Sequence, residues 1–417
     1  MDRYICHIDL NHCYAQIEEM KVPELRDVPM AVGGHEESRH GIILAKNDLA
    51  KKFKIKTGES LREAYKKCPE LVIIHPNYDD YMYYTEMVKD IYRKYTDRVE
   101  SFGLDEAWVD LTDSYHLFAD SAETLARNIQ QEVFETVGLT TSIGFSYNKI
   151  FAKLGSDMDK HMGFTVITPE NFKDLVWTLP VEDLFYVGRA TQRKLNELGI
   201  YTIGQLASIP FRQVHKRLRC LGKMGDMIWC FANGYDVDQV ALTSACRDVK
   251  SVGNSITAIH DLHNVAETKL VLIVLAEAVA SRMRDIGMKG NVISLSVRDT
   301  DLHYRSCQRK VDRATCLSSE ILAIALELLK ENVFFEIPLR GVGISVSNLV
   351  PDTGDVQLSL FIDEHKKKEE VDLEITIDAI REKFGHGIIK KAITLKDREL
   401  TDFDPKDDHV IHPQSYF

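Results

Sequence analysis

One order of elements, strand–helix–strand–strand–helix–strand, appears twice in this 417-residue chain and narrows its possible folds more than any other feature. The first copy opens on the strand-like Tyr4-Ile5-Cys6-His7-Ile8-Asp9, which turns into a helix at about Cys13. After a small charge-rich insertion (residues 20–75, helix-like at 49–53 and 60–67) come helix 79–95, a strand near Val99, strand 107–111, helix 122–136 and strand 140–145. This is the signature of a split βαβ, ferredoxin-like sheet. The second copy holds strand 252–259, helix 266–285, strands 292–298 and 303–310 paired across a turn at Asp299 to Asp301, helix 318–332 and strand 340–346. Between them, 181–233 reads as all helix, with turns at Val187-Gly188, Leu198-Gly199 and Leu221-Gly222. An α+β chain of two to four domains is expected, because this length exceeds what one core supports.

Several classes drop out. No stretch approaches the roughly 20 uncharged apolar residues of a membrane span, and the N-terminus lacks the apolar segment of a signal peptide. A cytoplasmic protein with no membrane partner is expected. Its eight cysteines are scattered without a C-x-x-C pair, as reduced thiols are. The net charge of −12 disfavours phosphate binding, but it is unevenly spread. Between Arg189 and Lys223 stand eight basic residues against the single acid Glu197, whereas residues 351–417 carry 16 acidic against ten basic. Local basic surface on an acidic chain remains compatible with DNA.

The chemistry lies in carboxylates. His7-Ile8-Asp9-Leu10 ends an apolar strand on an acid, and Leu104-Asp105-Glu106-Ala107 sets two adjacent acids on a hairpin between two strands. A split βαβ sheet puts its first strand beside its third, so Asp9, Asp105 and Glu106 can meet. Three such groups repel unless divalent cations lie between them, and hard oxygen ligands select Mg²⁺ or Mn²⁺. Two ions would activate an attacking hydroxyl and stabilise a leaving pyrophosphate. The alternative is that each acid only caps a strand or turn.

The run from His7 to Glu18 resembles the opening motif of the Y-family DNA polymerases, in their DinB-type branch. Leu104 to Ala107 is similar to their second metal motif, and Gly144 to Lys153, followed by Asp157 and Lys160, to their third block. The resemblance covers residues 3 to 361. It implies a right-hand polymerase: ferredoxin-like palm (1–18 and 76–165), small fingers (19–75), helical thumb (166–235), linker (236–248), βαββαβ little finger (249–350) and an acidic tail (351–417). It further implies template-directed, low-fidelity translesion synthesis without proofreading, on primer–template DNA and deoxynucleoside triphosphates, by a monomer.

Carried over residue by residue, Asp9, Asp105 and the Leu10 carbonyl would hold two Mg²⁺ ions, replaceable by Mn²⁺, with Glu106 on the ion nearest the primer end. Tyr14 would be the steric gate against ribonucleotides, and Lys51 and Lys160 would meet the triphosphate. Lys51 stands where the family commonly has arginine, Asp48 replaces a usual aromatic, and Leu44 is bulkier than usual. Residues 181–200 resemble a helix–hairpin–helix whose first glycine is replaced by Phe185 and Tyr186, leaving Gly188 and Arg189 to face a phosphate. Arg305, Arg309 and Lys310 are expected to grip DNA from the little finger. Gln357-Leu358-Ser359-Leu360-Phe361 matches the bacterial sliding-clamp motif, with Gln357, Leu358, Leu360 and Phe361 as anchors. A noncatalytic DNA- and clamp-binding scaffold is the alternative, but it has no reason to keep three mutually repelling acids.

Overall fold

The apolar run Ile5–Leu10 (β1) is buried along its whole length because both of its faces are covered. A computed structural model of the chain describes residues 3–34, 41–245, 248–353 and 364–405, the first two stretches forming one compact unit and the last two another.

In the first unit β1 is followed by α1 (Cys13–Lys21), β2 (Met30–Gly33), β3 (Ile43–Lys46), α2 (Asp48–Lys52), α3 (Leu61–Lys67), β4 (Val72–Ile74), α4 (Tyr78–Arg93), β5 (Val99–Ser101) and β6 (Glu106–Asp110). Next come α5 (Ala122–Val137), β7 (Thr141–Ser146), α6 (Lys149–Met158) and β8 (Phe164–Ile167). The main sheet has the order β5-β6-β1-β7-β8, with β1 antiparallel to both β6 and β7. The four strands read in the sequence take the split βαβ arrangement, and β8, which that reading missed, adds a fifth in parallel to β7. Alternation sorts β1 into two sets. Cys6, Ile8 and Leu10 join a core with Ile91 of α4 and Leu125, Ile129 and Val133 of α5. His7 and Asp9 point to the opposite face, which α6 covers. The insertion 20–75 contains a small sheet, β3-β2-β4, with its own core of Ile43, Ile55, Leu61 and Leu71. Its strands are only three or four residues long, too short for periodicity to mark.

Five helices follow: α7 (Phe172–Val176), α8 (Arg189–Glu197), α9 (Ile203–Ala207), α10 (Phe211–Arg217) and α11 (Lys223–Ala232). They pack around Val181, Leu195, Ile203, Leu206 and Ile228. Part of the expected linker is docked on this unit. Val240 is fully buried, the Ala241 amide donates to Glu100 at 2.9 Å, and the Thr243 amide donates to the Asp97 carbonyl at 2.8 Å.

The second unit runs β9 (Ser251–Leu262), α12 (Val265–Asp285), β10 (Met288–Asp299), β11 (Tyr304–Thr315), α13 (Ser318–Asn332) and β12 (Leu339–Pro351). Its sheet has the order β11-β10-β12-β9, so the element order of the first sheet is kept while the strand order differs. Both helices lie on one face, over Ile293, Leu295, Ile344 and Val346. Among the described residues of the tail, 364–405 are largely helical or turned and packed on this unit. α14 (Glu364–Phe384) and the short α15 (Arg398–Thr401) belong to this unit, Leu400 enters its core, and Arg284 of α12 binds Asp378 at 2.7 Å and Glu374. Glu374 also accepts from the Ser318 amide at 3.1 Å, capping α13, whose N-cap residue Leu317 has no side-chain acceptor. The proposed clamp motif, Gln357 to Phe361, lies outside the described residues.

Candidate active site

Asp9 pairs across the sheet with Glu106 on one side and Ser142 on the other, one residue before β1 ends. The Leu10 amide donates to the Asp105 carbonyl at 3.0 Å, fastening the turn that carries Asp105 to the end of β1. That turn includes Gly103 at φ +83°, and Lys89 of α4 donates to its carbonyl at 3.2 Å. Helix α6 closes over the Asp9 face because β7 presents Gly144 there. A Cβ at Gly144 would lie 1.8 Å from the Ala152 carbonyl oxygen. Asn148 caps α6 by accepting from the Phe151 amide at 2.7 Å.

Each acid has a distinct surrounding. Asp9 pairs with Lys160 at 2.9 Å, and Lys160 also meets Asp157 at 2.9 Å. Burial pushes the Asp9 carboxyl up to about 7, the negative Glu106 and Asp105 add to the rise, and Lys160 opposes it. Asp105 is raised by burial and by Glu106. For Glu106 burial alone would raise the pKa, but His7 and Lys153 outweigh it and hold the carboxyl down at about 2. Lys153 reaches Glu106 at 2.5 Å and His7 Nε2 lies 3.2 Å away. Asp9 and Asp105 open onto a cavity of about 470 Å³, whereas Glu106 is not part of its lining. Among the described residues no trio of acids converges on one point. The neighbouring acids are nevertheless coupled electrostatically, and all their donors are hard oxygens. Such a set fits Mg²⁺ or Mn²⁺.

The cavity gathers several residues that the sequence singled out. Leu10, Tyr14, Leu44, Asp48, Lys51 and Lys160 line it, together with Asn11, His12, Lys46 and Thr57. Tyr14 stacks flat on Tyr81, centroids 4.4 Å apart, and meets Tyr78 edge-on. Tyr81 is itself fully buried and donates to Glu18 at 2.7 Å, so the Tyr14 ring sits on a rigid platform. Lys51 is set by Asn47, whose side chain accepts from the Ala50 amide at 2.9 Å and donates to the Leu25 and Val28 carbonyls. The sequence reading missed His12, Lys46 and His7. His12 takes a left-handed φ of 35° at the start of α1, a conformation that periodicity does not reveal. Lys46 is adjacent to the motif that supplied Lys51, and that proximity was the available signal.

In the candidate phosphate hairpin the first helix is reduced to a 3₁₀ turn, Val181–Asp183, before exposed Gly188 caps α8. Tyr186, standing where a glycine is usual, adopts φ +71° and stacks with Phe231. Ring packing holds a backbone conformation that glycine would adopt without strain.

The second unit corrects one expectation. Arg305 and Arg309 pair with Val297 and Ile293, which face the helices, while Lys310 pairs with Val292 on the open face. The Arg309 guanidinium engages Glu327 and Glu331 of α13, and Arg305 lies 3.6 Å from Asp299. Neighbouring strand positions point to opposite faces, so the three cations cannot grip one duplex together. The open face instead carries cross-strand rows rich in small hydroxyls, among them Gln308–Ser294–Ser345–Gly253 and Ser306–Ser296–Gly343–Ser255, flanked by Lys310 and Arg298.

Comparison with known proteins accords with this architecture. Residues 8–157 match the impB/mucB/samB family, 169–200 the IMS family HHH motif, and 249–360 the impB/mucB/samB family C-terminal domain. The chain is 43% identical to a DNA polymerase IV of Acetivibrio thermocellus over 96% of its own length and 99% of the relative's. It is 36% identical to a DNA polymerase IV of Clostridium kluyveri, over 95% and 99%. A solved Y-family DNA polymerase chimera of Dbh and Dpo4 superposes with a TM-score of 0.73 at 22% identity, covering 84% of this chain and all of that one. With its two βαββαβ units, its intervening helices and its relatives matched almost end to end, this chain belongs to the Y-family DNA polymerases, in the DinB-type, DNA polymerase IV branch.

Proposed function

We propose that this chain is a template-directed translesion DNA polymerase in which Asp9, Asp105 and Glu106 serve a two-metal phosphoryl transfer with Mg²⁺ or Mn²⁺. The observation that carries the reading is one cavity lined together by Asp9, Asp105, Lys46, Lys51, Lys160 and Tyr14. Asp9, Asp105 and the Leu10 carbonyl would hold the ions, and Glu106 would complete the site on the primer side. Bound there, the ions supply the charge that makes the primer 3′-hydroxyl acidic and stabilises the departing pyrophosphate. The lysines bind the triphosphate as point charges, without the bidentate fork of arginine. Tyr14 excludes a ribose 2′-hydroxyl by occupying its place. Nothing favours a noncatalytic scaffold.

Primer–template DNA would lie along Gly188 and Arg189 in the first unit and along the hydroxyl-lined open face with Lys310 in the second. Gln357, Leu358, Leu360 and Phe361 would tether a monomeric enzyme to a sliding clamp. Among the described residues no helix is long and apolar enough to cross a membrane, and the proposed location is the cytoplasm.

A primer-extension assay with Mg²⁺ on undamaged and damaged templates tests the reading. Asp105→Ala should abolish incorporation while DNA binding and thermal unfolding stay near wild type. Wild-type extension by that variant would refute the mechanism.

A further inference from the structure

His7 is entirely buried beneath α6, two residues before Asp9 on the same face of β1. Trp108 meets its ring edge-on at 5.2 Å, and the Trp108 indole is itself fixed by donating to the Lys149 carbonyl at 3.0 Å. The ring is therefore held at one orientation with one nitrogen toward each of two partners. Nδ1 lies 2.8 Å from the Ser156 hydroxyl. Nε2 lies 3.2 Å from Glu106 Oε2, off the ideal hydrogen-bond line, and has no other partner among the described residues. A buried ring nitrogen with a single carboxylate in reach is costly unless it engages that group.

The Ser156 hydroxyl has one proton and two acceptors within reach, His7 Nδ1 and the Lys153 carbonyl, each at 2.8 Å. If it donates to Lys153, the neutral imidazole carries its proton on Nδ1 and turns a lone pair against the Glu106 carboxylate. If it donates to Nδ1, the proton stands on Nε2 and faces Glu106. The second arrangement satisfies both groups and the first sets two acceptors together.

We propose that Ser156 and His7 are positioning residues for the reaction: Ser156 fixes the imidazole tautomer, and His7 Nε2–H orients the Glu106 carboxylate. Lys153 donates a hydrogen bond to the same Glu106 Oε2 at 2.5 Å from a flexible side chain, and the rigidly held His7 adds a second, fixed direction. An outer partner that aims a ligand carboxylate is the recurring device for tuning a metal site. The inference rests on the role proposed above for Glu106.

Mn²⁺ binding to the full chain, titrated by electron paramagnetic resonance without DNA or nucleotide, is compared with kcat and nucleotide KM in primer extension. His7→Leu, which keeps the bulk and loses both nitrogens, should weaken Mn²⁺ binding and lower kcat by roughly 10–100-fold, the range for lost outer-shell partners. KM for the nucleotide should barely move, because the triphosphate groups are untouched. His7→Gln, whose amide can donate from a similar place, should restore most of both. Ser156→Ala frees the tautomer and should fall between. Adding His7→Leu to Glu106→Gln should cost little more, since the first acts through the second. The proposal is overturned by wild-type Mn²⁺ affinity and kcat in a folded His7→Leu variant, or by equal losses in His7→Leu and His7→Gln, which would mean packing alone. Should His7→Leu fail to fold, wild-type behaviour of Ser156→Ala overturns it by itself. Failure of the underlying reading looks different: wild type would not extend primers, or Asp105→Ala would remain active.

Discussion

The Asp9 carboxylate, the Tyr14 phenol and the His7 imidazole stand on two adjoining segments and are buried to different degrees, and the proposed mechanism gives each a separate task. Burial raises the Asp9 pKa and the neighbouring Glu106 and Asp105 add to the rise, so ionising that carboxyl carries a cost that a nearby cation relieves. Two lysines from the α6 region already answer that demand, Lys160 at Asp9 and Lys153 at Glu106. Tyr14 is partly buried, with its ring laid on Tyr81 and its edge at the cavity. In the proposed gate, an aromatic held on an aromatic platform would stand against a ribose 2′-hydroxyl, and repulsion of that kind discriminates between two similar nucleotides. Tyr14→Ala should raise ribonucleotide relative to deoxynucleotide incorporation by orders of magnitude, measured as a ratio of kcat/KM values. An unchanged ratio in a folded variant would make Tyr14 a packing residue. The acids and Tyr14 were legible in the sequence because the motifs carrying them are contiguous. His7 was printed in the same motif, yet its partner Ser156 is 149 residues away.

Helix α6 determines how the site is assembled. It supplies Lys153, Ser156 and Asp157 and can reach the sheet only where Gly144 leaves room. Gly144→Ala would drive a Cβ into backbone atoms at 1.8 and 2.5 Å, which a side-chain rotation cannot relieve. The expected destabilisation is at least the roughly 1–3 kcal/mol of ordinary overpacking. Primer extension should fall further than stability does, because the displaced helix would lift Lys153 off Glu106. Thermal unfolding beside a primer-extension assay checks this, and wild-type values in both would show that the close approach is dispensable. In the second unit, β11 teaches the opposite lesson about local reading. Arg305, Arg309 and Lys310 look like one basic stripe in sequence, but a strand sends the first two toward Asp299 and α13 and only Lys310 to the open face.

Across the whole chain, an acidic protein must hold an acidic polymer with a few basic patches, and salt weakens such binding steeply. A tether raises the effective concentration of enzyme at the primer end without new contacts there. Replacing Leu360 and Phe361 by alanine should spare extension by the enzyme alone and remove its stimulation by a loaded sliding clamp. Equal stimulation of mutant and parent at physiological salt would exclude that tether. By itself the sequence determined the two βαββαβ series, the acids of the contiguous motifs and the family, because periodicity, turn residues and contiguous motifs are local properties of a chain. Only the tertiary structure decided that residues 30–74 pair into a sheet, that α14 and α15 fold onto the second unit, and that Arg309 binds α13. It likewise decided that His7 meets Ser156 and Glu106. These depend on contacts between residues far apart in the chain, where the energy of burial and pairing is set by which faces meet, and no local pattern encodes that meeting.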